Sequence, residues 1–298
     1  MKGGVDMRKS NFWGLFFVSP FILGCLVFFV FPVGFSAYIS LTKWDMFNPP
    51  EFIGLKNWIT ALKNPVFWIA FRNVFYFALI FVPLQTIFAL IIANLLNQKI
   101  KFKGLYRVVY FLPVVTPWVA GATIWKFLYG YENGLLNYFL RLIGFNGSYW
   151  FDSDKWWVAI GSLALMNVWK GLGQSMVMFL AGLQNVPSEI IEAAEIDGAT
   201  KGQIFRKITV PMISPMVFLV MIMSTIAAFT AFDVFLTMFD IFSLPVRNSI
   251  VNLMVYREAF LYGKMGPASA MAWILFVIIL IITMLQKQFE KRWVHYDS

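Results

Sequence analysis

Histidine and cysteine are nearly missing from this 298-residue chain, which has one of each. The single His295 lies among the last few residues, so no internal imidazole is at hand for a catalytic triad, a zinc centre or a proton relay. The single Cys25 sits in an apolar run, and one thiol builds neither an internal disulfide nor a thiolate metal cluster. A phosphate-cradling GxxxxGK[ST] segment is also lacking, so nothing here holds ATP in that manner. These absences leave no catalytic residue, metal site or cofactor to assign. There is no low-complexity segment and no evident inverted repeat, which disfavours a self-contained secondary transporter. Charge is scarce too: 13% of residues are charged against 60% hydrophobic, with mean hydropathy +0.71. Soluble domains carry about 25% charged residues, so the solvent of this chain is lipid. The charge present is mostly basic, 24 Lys and Arg against 15 Asp and Glu. That excess fits the cytoplasmic loops of membrane proteins, and no nucleic-acid partner is expected.

Apolar stretches cover about Phe12 to Ser40, Phe67 to Leu96, Val108 to Tyr129, Trp156 to Leu183, Pro211 to Met238 and Gly266 to Leu285. A bilayer crossing needs roughly 20 residues. The expectation is an all-α, polytopic membrane protein of about six transmembrane helices in one domain, residues 1–298, with a core at about 67–288. The first stretch is too long for a signal-peptide core and lacks a clear small-x-small site, so it reads as a retained helix.

Lys99, Lys101, Lys103 and Arg107 crowd the second connection without an acid, and Lys287, Lys291 and Arg292 follow the last stretch. Short basic loops stay on the cytoplasmic side, which predicts both termini there. Trp44, Trp58, Tyr129, Trp150, Trp156 and Trp157 fall near span ends, as interface anchors do. Pro20, Pro32, Pro83, Pro113, Pro117, Pro211 and Pro215 each remove a backbone donor, predicting kinked helices around a cavity.

Between the fourth and fifth stretches, residues 185–210 read NVPSEIIEAAEIDGATKGQIFRKITV. Pro187 and Ser188 signal a helix start, Glu189, Glu192 and Glu195 follow, and Gly198 interrupts before Lys201, Arg206 and Lys207. The reading is a short helix, a turn and a second helix. Glu192, Ala193 and Ala194, then Gly198, then Ile208 and Pro211, resemble the EAA loop of ABC importer permeases at that family's spacing. One departure is Val210, where the family usually has leucine.

The resemblance extends over nearly the whole chain, through PEFIGLKNW at Pro50 to Trp58, the run from Tyr106 to Tyr129, NVWKG at Asn167 to Gly171, ASAMAW at Ala268 to Trp273 and the final KRWVHY. It narrows to the carbohydrate branch and its maltose-type first permease subunit. The resemblance implies the type I importer permease fold, in a bacterial inner membrane, with a cytoplasmic coupling helix that docks on an ATPase through Glu192, Ala193, Ala194, Asp197 and Gly198. It also implies a second homologous permease, two ATP-binding subunits that hold ATP and Mg, an extracytoplasmic solute-binding protein and a sugar substrate.

Asn167, Lys170, Gly171 and Gln174 are spaced i, i+3, i+4 and i+7 along the fourth stretch, which places them along one helical face. Lys170 lies roughly 20 Å from either end of that helix, where a charge costs roughly 2.5–3.5 kcal/mol. It therefore needs a cavity, a partner or a ligand, and an acidic saccharide would supply one. In the family resembled, positions matching Asn167, Gly171, Gln174, Ser224 and Ala228 line the sugar site, so these residues with Lys170 are the substrate-binding candidates. Ala228 cannot hydrogen-bond through its side chain, and close helix packing is the alternative for it. Asp233, about 33 Å along a continuous helix from Pro211, is expected near the outer interface. The competing function is an ion-coupled carrier of a small polar solute, for which Asp233 alone is thin support.

Overall fold

The structure is a computed structural model that describes residues 7–98, 100–151, 155–239 and 245–291, with residues 7–15 as backbone only. Lys99, Arg292 and His295, with nearly all of the KRWVHY run, lie outside the described residues. Backbone contacts divide the chain into two compact units: Met1–Lys63 with Val255–Ile274, and Asn64–Met254 with Leu275–Ser298.

In the first unit α1 (Met7–Cys25) and α2 (Phe31–Ser40) are joined by a wide π turn at Leu26–Val30. Phe16–Ser40 is long and apolar enough to cross a bilayer, and none of its apolar window is buried. That exposure suits a helix surrounded by hydrocarbon. Strands β1 (Thr42–Lys43) and β2 (Glu51–Phe52) pair antiparallel, with Thr42 opposite Phe52. Helix α3 (Lys56–Lys63) follows and is pinned by the buried Asn57, whose amide donates to the Ser40 carbonyl at 3.0 Å and the Thr42 carbonyl at 2.7 Å. Gly266 completes this knot, because a Cβ there would collide with the Thr42 carbonyl.

The second unit begins with α4 (Pro65–Asn97), started by the Asn64 side chain accepting from the Val66 amide and by Pro65 at its first position. Helices α5 (Lys103–Val115) and α6 (Trp118–Leu128) meet at 100°. Pro117 causes the break: it has no N–H to continue the helix and forces Thr116 into extended backbone, ψ 139°. After α7 (Leu135–Leu142), the 29-residue α8 (Trp156–Gln184) packs mainly on α4. Ala89 and Ala93 of α4 are fully buried in a cluster with Met176, Phe179 and Leu183 of α8, and the small side chains let the two backbones approach.

The chain continues through α9 (Ser188–Ile196), α10 (Lys201–Ile204), a π turn at Phe205–Thr209, α11 (Val210–Met212) and α12 (Ser214–Phe229). Prolines 211 and 215 flank a second bend of 69°. Helices α13 (Asp233–Met238) and α14 (Val251–Tyr256) lead to α15 (Met265–Glu290), which starts in the first unit and ends in the second.

Among the described residues, three helices are long and apolar enough to cross a membrane, or up to five if each bent pair is one span. The expected third span is thus two helices at an elbow. The expected fifth, Pro211 to Met238, bends at Ile213 and breaks again at Thr230 to Phe232, so Asp233 starts a separate helix instead of extending α12. Helix α8 has the length to cross but falls outside the apolar set, and polar residues including Asn167, Lys170 and Gln174 interrupt its sequence.

Candidate functional site

The loop after α8 folds as its local sequence dictates. Pro187 adopts extended backbone and α9 starts at Ser188, with Glu189 in the first turn facing the positive end of the helix dipole. Gly198 has φ +79°, which only glycine adopts without strain. Around it the Ala199 amide donates to the Ala194 carbonyl at 3.0 Å and the Gly198 amide to the Glu195 carbonyl at 3.1 Å. This six-to-one and five-to-two pair is a Schellman closure of α9. Thr200 and Gln203 then form a capping box that starts α10.

No residue of α9 is buried. Glu192, Ala193, Asp197 and Gly198 are exposed and Ala194 is half-buried. Two isoleucines stand in the open on the same helix, Ile196 at 86% exposure and Ile190 at 42%. Beside them lies a shallow concavity of about 260 Å³ lined by Asp197, Gly198, Ala199, Gln203, Ile204, Lys207 and Ile208. The local architecture is a tightly capped turn that presents two isoleucines outward among the exposed acids Glu189, Glu192, Glu195 and Asp197.

The polar stretch of α8 is arranged differently. Lys170 is buried, and its Nζ donates to the carbonyls of Pro113 at 2.6 Å, Val114 at 3.1 Å and Thr116 at 2.6 Å. The ammonium also lies 5.2 Å from the centre of the Trp118 ring, a cation–π distance. The partner that this mid-helix charge requires is therefore the chain's own backbone at the α5–α6 elbow. One turn further on, a Cβ added to Gly173 would sit 2.5 Å from the Tyr110 carbonyl oxygen, so α5 and α8 touch there backbone to backbone.

The other expected substrate residues spread over several environments. Gly171 faces Gln85 of α4, where a Cβ would lie 3.1 Å from Nε2, and that amide donates to Ser175 Oγ at 2.9 Å. Gln174 is exposed and Asn167 is half-buried. On α12, Ser224 and Ala228 are buried within the second unit. Asp233 is exposed at the first turn of α13.

The aromatic anchors also divide. Tyr129 is buried and donates to the Ser162 carbonyl at 2.9 Å, Trp150 donates to Asn137 Oδ1 at 3.0 Å, and Trp156 lies under the Arg72 guanidinium at 3.7 Å. These rings brace the second unit internally. The Pro113–Thr116 carbonyls and Gln85 are polar groups that residue-by-residue reading passes over. Two prolines four apart, Pro113 and Pro117, are the signal that backbone acceptors are freed there.

A separate recess of about 400 Å³ lies in the first unit, lined by residues including Lys43, Asp45, Glu51 and Lys264. Backbone and side-chain hydrogen bonds from Asn48 hold the Asp45 carboxyl below its usual range. None of the expected site residues lines this recess.

Residues 85–295 match the family described as binding-protein-dependent transport system inner membrane component. The probable ABC transporter permease protein YesP of Bacillus subtilis (strain 168) is 37% identical over 302 residues, covering 100% of this chain and 96% of that protein. The arabinooligosaccharides transport system permease protein AraP of the same strain is 31% identical over 281 residues, covering 90% of this chain and 85% of AraP. A solved bacterial alginate ABC transporter, in complex with an alginate pentasaccharide-bound periplasmic protein, contains a chain that superposes with TM-score 0.81 at 18% identity over 97% of each chain, so the two share a fold. The chain accordingly belongs to the binding-protein-dependent transport system inner membrane components, the permeases of ABC importers, and has their type I fold.

Proposed function

We propose that this chain is one of two homologous membrane subunits that form the translocation pathway of an ATP-driven, binding-protein-dependent importer of oligosaccharides. The observation that carries the reading is the α9–turn–α10 segment, which is firmly capped yet buries none of α9. Such a surface suits docking into a cleft of an ATP-binding subunit, with Glu192, Ala193, Ala194, Asp197 and Gly198 at the contact. ATP and Mg belong to the two ATPase partners, and this chain is not itself an enzyme. An extracytoplasmic binding protein delivers the sugar.

The basic segments at Lys101 to Arg107 and Lys287 to Lys291 support a cytoplasmic location for the coupling side and both termini. The named solute of AraP supports an oligosaccharide as substrate. Asn167, Gly171 and Gln174 of α8, with Ser224 and Ala228 of α12, are the proposed pathway residues, and the exposed Gln174 is the foremost of them. Lys170 is set apart, since its three protons are already donated. Alternating access would follow from ATPase closure moving α9 and, through it, the helices.

The test is the ATPase rate of the purified complex in lipid, with binding proteins charged separately with neutral and acidic oligosaccharides, beside a Gly198→Pro variant. Proline cannot take φ +79°, so the variant spoils the turn. Stimulation by one sugar class, lost in an assembled Gly198→Pro complex, supports the proposal. Stimulation that persists in the variant refutes the coupling assignment, and a chain that associates with no ATPase refutes the importer reading.

A further inference from the structure

Helix α5 ends at the elbow, where the break leaves the carbonyls of Val114 and Thr116 without a following helical turn to bond them. The chain swings through 100° and Pro117 brings no N–H, so only the Pro113 carbonyl is met locally, by the Thr116 hydroxyl at 2.7 Å and the Thr116 amide at 3.3 Å. In hydrocarbon such acceptors must be met from within the protein. Lys170 has three protons and donates one each to the carbonyls of Val114, Thr116 and Pro113, the first two of which have no local donor among the described residues. Gly173, one turn along α8, adds the close backbone contact with Tyr110. The last turn of α5 is thereby bonded and packed onto α8 at two successive levels. Lys170 lies roughly 21 Å of helix before Gln184, where α8 gives way to the segment that opens α9.

We propose that Lys170 is a positioning residue that latches the α5–α6 elbow to α8, so that a displacement of α8 imposed at the α9 loop carries residues 113–118 with it. The inference rests on the reading of α9–α10 as the coupling loop. Lys170 then serves every substrate equally, because it acts on the shape of the pathway and not on a sugar.

The test reads a nitroxide label on the full chain in lipid nanodiscs, in a Cys25→Ser background that removes the only native thiol. One label is placed by Val115→Cys at the elbow and the other by Leu105→Cys near the start of α5; both side chains are exposed. Lys170→Met is expected to mobilise the label at 115 and leave the label at 105 unchanged, whereas general unfolding would mobilise both. Lys170→Arg, which keeps the cation and its donors, is expected to restore the immobile spectrum at 115 at least in part. If Lys170→Met does not accumulate, Lys170→Gln, with two donors left, is read with the same labels. In the assembled complex, Lys170→Met is expected to lower maximal uptake about tenfold for neutral and acidic oligosaccharides alike, with KM unchanged. An unchanged spectrum at 115, or a rise in KM confined to one sugar class, overturns the latch. If the wild-type complex shows no ATP-dependent uptake, the importer proposal fails while the paired labels still decide the latch.

Discussion

Two polar regions of this permease, the middle of α8 and the loop after it, stand in opposite relation to the rest of the chain. At Lys170 every donor meets a carbonyl of the same chain, and the neighbouring Gly173 leaves no gap. At α9 nothing is buried, and Ile196 stands 86% exposed although each backbone end of the turn is capped. Both regions carry residue types that suggest function. The difference is whether their demands are met from within: the polar group at Lys170 is satisfied inside the chain, whereas the isoleucines of an ordered α9 stay open, which is the basis for the proposed docking.

Substitutions should separate the two regions by their effect on the isolated chain. The largest loss is expected for Gly173→Ala, whose new Cβ is forced against the α5 backbone: roughly 1–3 kcal/mol, read as lower yield and thermal midpoint in detergent. Thr200→Ala removes the capping box of α10 and should cost roughly 1 kcal/mol, seen as faster proteolysis within residues 197–209. Ile196→Ala should change the chain's own stability by no more than about 0.5 kcal/mol and yet weaken ATPase stimulation in the complex. A stability loss at Ile196 as large as that at Gly173 would erase the distinction.

The smallest effect is expected at Asp45, outside both regions. Its carboxyl is held below the usual aspartate range by hydrogen bonds from Asn48, so the support it gives its loop is present at pH above that range and fades as pH falls through the lowered pKa. Asp45→Asn should leave transport at neutral pH unchanged and remove that acid sensitivity, which hydrogen exchange at residues 45–48 would report.

Local structure was legible in the sequence where its causes are local. Pro187, Ser188, Gly198 and Glu189 in the first turn announce the helix–turn–helix, because capping and positive φ are decided within a few residues. The long α4 is likewise announced by a long, mainly apolar run broken only at Arg72, Asn73, Gln85 and Thr86 before its last residues. The α5–α6 elbow was only half legible: Pro113 and Pro117 indicate a kink, but a 100° turn depends on what receives the freed carbonyls. That receiver, Lys170, lies 54 to 57 residues away from them, a separation over which spacing says nothing. The same limit affects the i, i+3, i+4, i+7 face of α8. Lys170 turns to α5 and Gly171 to Gln85 of α4, while Gln174 stays exposed on this chain, because a single face of α8 meets several neighbours. Asp233 was placed on a continuous helix that the backbone breaks at Thr230 to Phe232, where no proline marks the sequence.

The central claim, that the open surface of α9 is the one an ATPase covers, is tested most directly by site-specific crosslinking in native membranes. In the Cys25→Ser background, Ile196→Cys is compared with Phe28→Cys, which is 75% exposed on the N-terminal span. The expected result is a crosslink from position 196 to a nucleotide-hydrolysing subunit and none from position 28. Equal capture from both positions, or no capture of such a subunit from 196 in an actively transporting membrane, would contradict it.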